Sequence, residues 1–146
     1  MAAIKKESKV EYKNTIMTVD DRGVAYVTFN RPGVHNAMSA EFIQEVLHIC
    51  ATIEASKTIR VVVLTGAGET FCAGGDLKWM ESNIAKSRSE RVEETGELAE
   101  MLAALNGLSK PVIGRIQGPA YGGGVGMVSV CDISIGVETA QVGFGR

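Results

Sequence analysis

The sequence predicts an α/β fold in which helical crossovers join the strands of a mainly parallel sheet. Three observations carry this. Segments of strand and helix character alternate along the chain, the pattern of an α/β arrangement. Residues 61–64, Val-Val-Val-Leu, form a short, continuously apolar run of the kind buried on both faces of a parallel sheet. Two glycine-rich loops, at 66–75 and 118–126, each follow a predicted strand and precede a predicted helix. Parallel neighbours need such crossovers. The alternation alone leaves open a doubly wound sheet or a spiral of strand–strand–helix units.

Taken in order, residues 10–19 and 23–30 are rich in Val, Ile, Thr, Tyr and Phe, and Asp20-Asp21-Arg22-Gly23 parts them, so they predict a β-hairpin. Pro32 ends the second strand, because proline cannot continue a ladder. Ser39 is placed to cap a helix over 39–57, with Glu41 in the first turn, where the helix dipole favours negative charge. Phe42, Ile43, Val46, Leu47, Cys50 and Ile53 give that helix one apolar face. Residues 76–107 read as mostly helical, and the Lys-, Arg-, Glu- and Ser-rich part from 81 to 97 as exposed. A strand is expected at 111–116, a helix opened by glycines at 122–130 and another strand at 133–137.

At 146 residues the chain fits one domain, 1–146, with 45% hydrophobic and 22% charged residues, the balance of a soluble globular protein. A formal net charge of −2 gives no electrostatic case for nucleic acid. The basic run Lys5, Lys6, Lys9, Lys13 is interrupted by Glu7 and Glu11 and reads as a solvated edge. Cys50, Cys72 and Cys131 are too widely spaced for a metal cluster, and three free thiols suggest a reducing compartment. With neither a signal-peptide pattern nor a run of about 20 apolar residues, a cytoplasmic protein without membrane contact is expected.

The chemistry is concentrated in the two glycine loops. Glycine leaves its N–H unscreened and tolerates unusual backbone angles, so such loops can aim bare donors at one ligand oxygen. A helix N-terminus adds unpaired N–H groups and partial positive charge. Two converging donors would make an oxyanion hole, polarising a thioester carbonyl and stabilising its enolate. Either loop alone reads better as a tight turn that allows close helix packing.

The segments FNRPGVHNAMS at 29–39, VVVLTGAGETFCAGGDL at 61–77 and KPVIGRIQGPAYGGGVGMVSVCDI at 110–133, in this order and spacing, resemble three successive signatures of the crotonase (enoyl-CoA hydratase/isomerase) superfamily. The subgroup most resembled is that of the methylglutaconyl- and isohexenylglutaconyl-CoA hydratases. The resemblance implies a crotonase-like β-β-α superhelix, of which this chain would be the N-terminal core portion, without the C-terminal helical region that builds a trimer. It implies oxyanion donors at the N–H groups of Gly75 and Gly123. Asn36, Ala37, Ala73, Asp76 and Leu77 would line the CoA region. Coenzyme A would be part of the substrate, with no separate cofactor and no metal. Homo-oligomers (trimers or hexamers in complete relatives) and a place in fatty acid metabolism are further implications. Arg31 would either brace its loop or contact a phosphate, and Gly33 stands where some relatives carry a basic residue for the CoA phosphates.

Two departures stand beside the resemblance. A hydratase glutamate normally follows the GGG segment, where this chain has Gly126, and counting to the second carboxylate reaches Arg146. Glu69, Asp132, Glu138, His35 and His48 read better as solvated or structural residues than as replacements. Trp79 and Met80 read as acyl contacts or as packing. The function expected is hydration of a 2-enoyl-CoA. The alternatives are double-bond isomerisation, a non-catalytic fragment or interaction module, and a dinucleotide-binding oxidoreductase. The glycine patterns fit the last poorly, because Phe71 and Ser129 occupy the third glycine positions.

Overall fold

A computed structural model describes residues 8–144. The predicted hairpin is present, but its first strand is two. β1 (Ser8–Glu11) and β2 (Thr15–Val19) pair antiparallel, and β2 pairs antiparallel with β3 (Val24–Phe29). The break falls at a turn closed by Tyr12 N–H donating to Thr15 O at 2.9 Å. A helical carboxylate fixes it: Glu45 accepts the Asn14 N–H, the Asn14 amide and the Thr15 hydroxyl. Lys5 and Lys6, read as part of a solvated edge, lie outside the described residues.

α1 (Ala40–Ala55) begins at Ser39, whose hydroxyl accepts the Phe42 N–H. Phe42, Ile43, Val46, Ile49, Cys50 and Ile53 are buried along one side. Burying each large apolar side chain contributes about 1.5–3 kcal/mol, so this stripe attaches the helix to the sheet. Phe29 of β3 stands edge-on to Phe42, ring centres 5.1 Å apart, and tilted against Phe71 at 5.3 Å.

β4 (Val61–Gly66) runs parallel to β3, β5 (Val112–Ile116) parallel to β4, and β7 (Ile133–Gly136) parallel to β5. Along β4 burial alternates, with Val62 and Leu64 fully buried and Val61 and Val63 half-buried, so the expectation of burial on both faces holds only in part. The helical stretch after β4 is two helices, α2 (Leu77–Ile84) and α3 (Arg88–Asn106); Ser87 starts the second with a capping box to Glu90.

Strand order in the sheet is β1-β2-β3-β4-β5-β7. α1 crosses from β3 to β4 and α3 from β4 to β5, and the two pack on each other. They therefore share one face, whereas a doubly wound sheet would separate its helices. A second layer of very short parallel pairings completes each turn: Met38 with Gly75, Cys72 with Ala120, and β6 (Ala120–Tyr121) with β8 (Val142–Gly143). The repeating unit is thus strand, short strand, helix, and the fold is the β-β-α superhelix rather than the doubly wound alternative. The second-layer residues Met38, Gly75 and Tyr121 each stand just before a helix cap: Ser39 for α1, Asp76 for α2 and Gly122 for α4 (Gly123–Ser129). Among the described residues no helix is long and apolar enough to cross a membrane.

Candidate active site: two backbone loops at a cleft

The first loop is shaped from its neighbours. Met38 N–H donates to Gly74 O at 2.7 Å, and Asp76 N–H donates to Met38 O at 2.9 Å. In a parallel bridge of this form the middle residue turns its own N–H to the other side. Gly75 is that residue, and its N–H meets no acceptor among the described residues.

The second loop is laid against the first. Phe71 N–H donates to Pro119 O at 3.0 Å, and Tyr121 N–H donates to Cys72 O at 2.9 Å. Gln117 clamps both, its Oε1 accepting the Gly66 N–H at 3.0 Å and its Nε2 donating to Thr70 O at 2.9 Å. Gly122, with φ 53° and ψ −120°, makes a turn that side chains resist, and Gly123 follows as the first residue of α4. A first-turn N–H has no partner within its own helix, and that of Gly123 meets no acceptor among the described residues. The two loops touch at Gly74, where an added Cβ would stand 3.3 Å from Gly123 N.

Asp76 organises the rim. Its Oδ1 accepts the Trp79 N–H at 3.1 Å, capping α2, and its Oδ2 accepts from the Arg31 guanidinium at 3.1 Å. Burial opposes its charge, but the Trp79 and Lys78 N–H groups and Arg31 outweigh it and hold the carboxyl below its ordinary range. Arg31 also donates to Ala37 O, so it braces the loop.

A cleft of about 540 Å³ opens here, lined by Arg31, Val34, His35, Ala37, Ala73, Gly75, Asp76, Leu77 and Lys78. Five of the residues that the sequence singles out therefore lie on one wall: Ala37, Ala73, Gly75, Asp76 and Leu77. Gly123 is adjacent, across Gly74. Asn36 lies behind this wall. It is fully buried, its Oδ1 accepts the Arg31 N–H, and its amide donates to Ala67 O and Thr70 O, so the side chain holds the loops together. The sequence reading missed Val34, His35 and Lys78 as lining residues.

The remaining acids and thiols are structural or solvent-exposed. Asp132 accepts the Val112 N–H at 2.7 Å, while Glu69 and Glu138 are exposed. His48 is exposed, with its Nδ1 2.9 Å from the Tyr12 hydroxyl. A Cβ at Gly126 would lie 3.2 Å from Leu102, so this position faces α3. Arg146, the second carboxylate position by count, lies outside the described residues. Burial pushes the Cys72 thiol up to about 11 despite a backbone hydrogen bond near Gly74, which leaves it a poor nucleophile at neutral pH. Trp79 donates from its indole to Glu94 at 3.2 Å, and Glu94 also pairs with Lys86, tying α2 to α3. The Met80 sulfur would be 2.9 Å from a Cβ at Gly75. The dinucleotide alternative fails on the same geometry. The Gly66 N–H is occupied by Gln117, and the 66–75 loop runs through a bridge before α2 begins, so the Gly-Ala-Gly segment does not open a helix.

Superhelix and cleft together define a crotonase-type protein. Residues 20–146 match the model of the family described as enoyl-CoA hydratase/isomerase, and the chain belongs to that family. It is 41% identical over 131 residues to YngF of Bacillus subtilis (strain 168), named within the enoyl-CoA hydratase/isomerase group; the match covers 88% of this chain and 49% of YngF. It is 34% identical over 122 residues to 4-chlorobenzoyl coenzyme A dehalogenase-2 of an Arthrobacter species, covering 81% of this chain and 43% of the other. Among solved structures, an enoyl-CoA hydratase of Mycobacterium smegmatis superposes with a TM-score of 0.84 at 30% identity, over 90% of this chain and 50% of that one. The chain spans about half the length of the curated relatives it matches.

Proposed function

We propose that the cleft holds an acyl-CoA thioester with its carbonyl oxygen between the N–H groups of Gly75 and Gly123, stabilising the enolate formed during hydration of a 2-enoyl-CoA. The observation that carries this reading is the Met38 bridge, which frees the Gly75 N–H beside the N-terminus of α4. Enolate chemistry needs donors fixed where negative charge develops, and removing one such donor costs about 10²–10³ in rate. Backbone donors locked by a bridge and a helix start are in place before the ligand arrives. Ala37 and Ala73 offer small side chains along which a pantetheine arm can pass, with Asp76 and Leu77 flanking it. Coenzyme A enters as part of the substrate. A cytoplasmic homo-oligomer working in fatty acid metabolism belongs to the same reading.

Gly126 favours a second reading. Hydration usually takes two carboxylates, and this position carries none and faces Leu102. Double-bond isomerisation needs a single base to move one proton between carbons, so it asks less of the site.

The carbonyl stretch of a bound 2-enoyl-CoA, measured by difference infrared spectroscopy, tests the hole directly. A downward shift is expected. It should shrink in Gly123→Pro, which removes one N–H, and persist in Gly123→Ala, which retains it once the Met38 methyl, 2.3 Å from the new Cβ, has moved aside. An unshifted carbonyl in the bound unsubstituted protein would sink the proposal.

A further inference from the structure

α4 starts on successive glycines, Gly122, Gly123 and Gly124, and Gly122 caps it with no side-chain hydrogen bond. Glycine has the most backbone freedom of any residue, so this segment brings no side chain of its own to hold its first turn. Neighbouring segments hold it instead. Gly124 lies against the Cys72 carbonyl, where an added Cβ would stand 2.3 Å from the oxygen. Against Gly123 lies the end of the Met38 side chain: a Cβ there would stand 2.3 Å from the Met38 methyl and 3.8 Å from its sulfur. The methyl fills the space that a side chain at position 123 would take.

Met38 is fully buried, and its backbone is engaged with the other loop. Its N–H donates to Gly74 O and its carbonyl accepts the Asp76 N–H, the bridge that leaves the Gly75 N–H without an acceptor among the described residues. One residue thus touches both loops, the first through its backbone and the second through its side chain. In an interior packed to crystal density, such a contact leaves the first turn of α4 little room to drift.

Resting on the acyl-CoA reading above, we infer that Met38 is a positioning residue for carbonyl activation: its backbone frees the Gly75 N–H, and its side-chain methyl seats the Gly123 N–H towards the same ligand oxygen. Met38 touches no substrate and acts through Gly123. Hydrogen bonds weaken steeply away from good distance and angle, so a first turn that can shift is a poorer donor even with its N–H intact.

The test is difference infrared spectroscopy of bound 2-butenoyl-CoA, read beside urea midpoints, on the unsubstituted chain, Met38→Ala, Ile53→Ala and the double variant Met38→Ala with Gly123→Ala. Ile53 is fully buried towards the far end of α1, so its truncation opens a core gap away from the two loops. Both single variants should lower the urea midpoint. Only Met38→Ala should reduce the downward carbonyl shift, towards the size that Gly123→Pro leaves. In the double variant the alanine methyl at position 123 enters the space that Met38 vacates, and the shift should return towards its unsubstituted size. Met38→Leu keeps the core volume close to the original and ends one bond short of the methyl, so a reduced shift is expected there too; it replaces Met38→Ala in the comparison if that variant does not fold. An undiminished shift in the Met38 variant would overturn the inference. So would an equal reduction in Ile53→Ala, which would mark general loosening, or a double variant that recovers nothing. Absence of a shift in the unsubstituted chain would instead overturn the acyl-CoA reading, and this inference with it.

Discussion

Gly74 and Gly123 meet backbone to backbone. Gly74 sits at φ 93°, and a Cβ built on it would fall 2.9 Å from Tyr121 O and 3.3 Å from Gly123 N. This contact brings the loop that carries Gly75 against the N-terminus of α4.

Gly74→Ala is therefore expected to destabilise the chain by about 1–3 kcal/mol through backbone strain and to weaken ligand binding by parting the loops. Gly96→Ala makes a control of opposite sign. Gly96 lies within α3 with nothing within 4 Å of its would-be Cβ, so alanine there should raise stability by about 0.4–1 kcal/mol. Urea unfolding midpoints of the two variants check both directions.

Asp76→Asn keeps a side chain able to cap α2 but removes the charge facing Arg31. A loss of about 1–3 kcal/mol at neutral pH is expected, since a largely buried guanidinium loses its anionic partner. The folded pKa of Asp76 lies below its ordinary value, so its contribution is present above the carboxylate range and vanishes as pH falls through the folded pKa. The stability gap between the unsubstituted chain and Asp76→Asn, read by urea melts, should close below about pH 4. A gap that stays constant into acid would refute the ion-pair account.

Burial pushes Cys50 up to about 12 and Cys72 and Cys131 to about 11, from an ordinary thiol value of 9.0. Raised values mean that the folded state holds these protons more tightly. The stability they lend is complete below about pH 9 and is lost as pH rises towards about 11 to 12. Melting temperatures should fall across that window, and less steeply in Cys50→Ala. At pH 7 the three thiols should react slowly with an alkylating reagent until urea opens the chain.

The elements visible in the sequence are those with a single physical reading. The apolar stripe of α1 and the Ser39 cap each permit one interpretation, and the apolar run of β4 marks a strand even though only one of its faces is fully buried. The pairs β6 and β8 escaped, because two residues carry no periodicity. The break between β1 and β2 escaped as well, since it depends on Glu45, 31 residues beyond Asn14. In the site, glycines announced themselves: a residue without a side chain concentrated before a helix has few uses. The bracing bonds of Asn36 escaped because an amide serves a ligand and a backbone carbonyl equally well, and only folding shows it facing Ala67 and Thr70. The Arg31–Asp76 pair spans 45 residues and links two turns of the spiral, a relation that no local pattern encodes.

Each turn of the superhelix stacks on the one before, with its short second strand feeding a helix start and the body of the helix lying outside. Gly75 and Gly123 belong to adjacent turns, and their spacing is fixed by the bridges at Met38 and Cys72. Residues 78–106 hang from that frame as a detour. They can lengthen, shorten or change side chains while the bridges that hold Gly75 and Gly123 stay in place. The α2–α3 detour and the frame that carries Gly75 and Gly123 are thereby separate structural units.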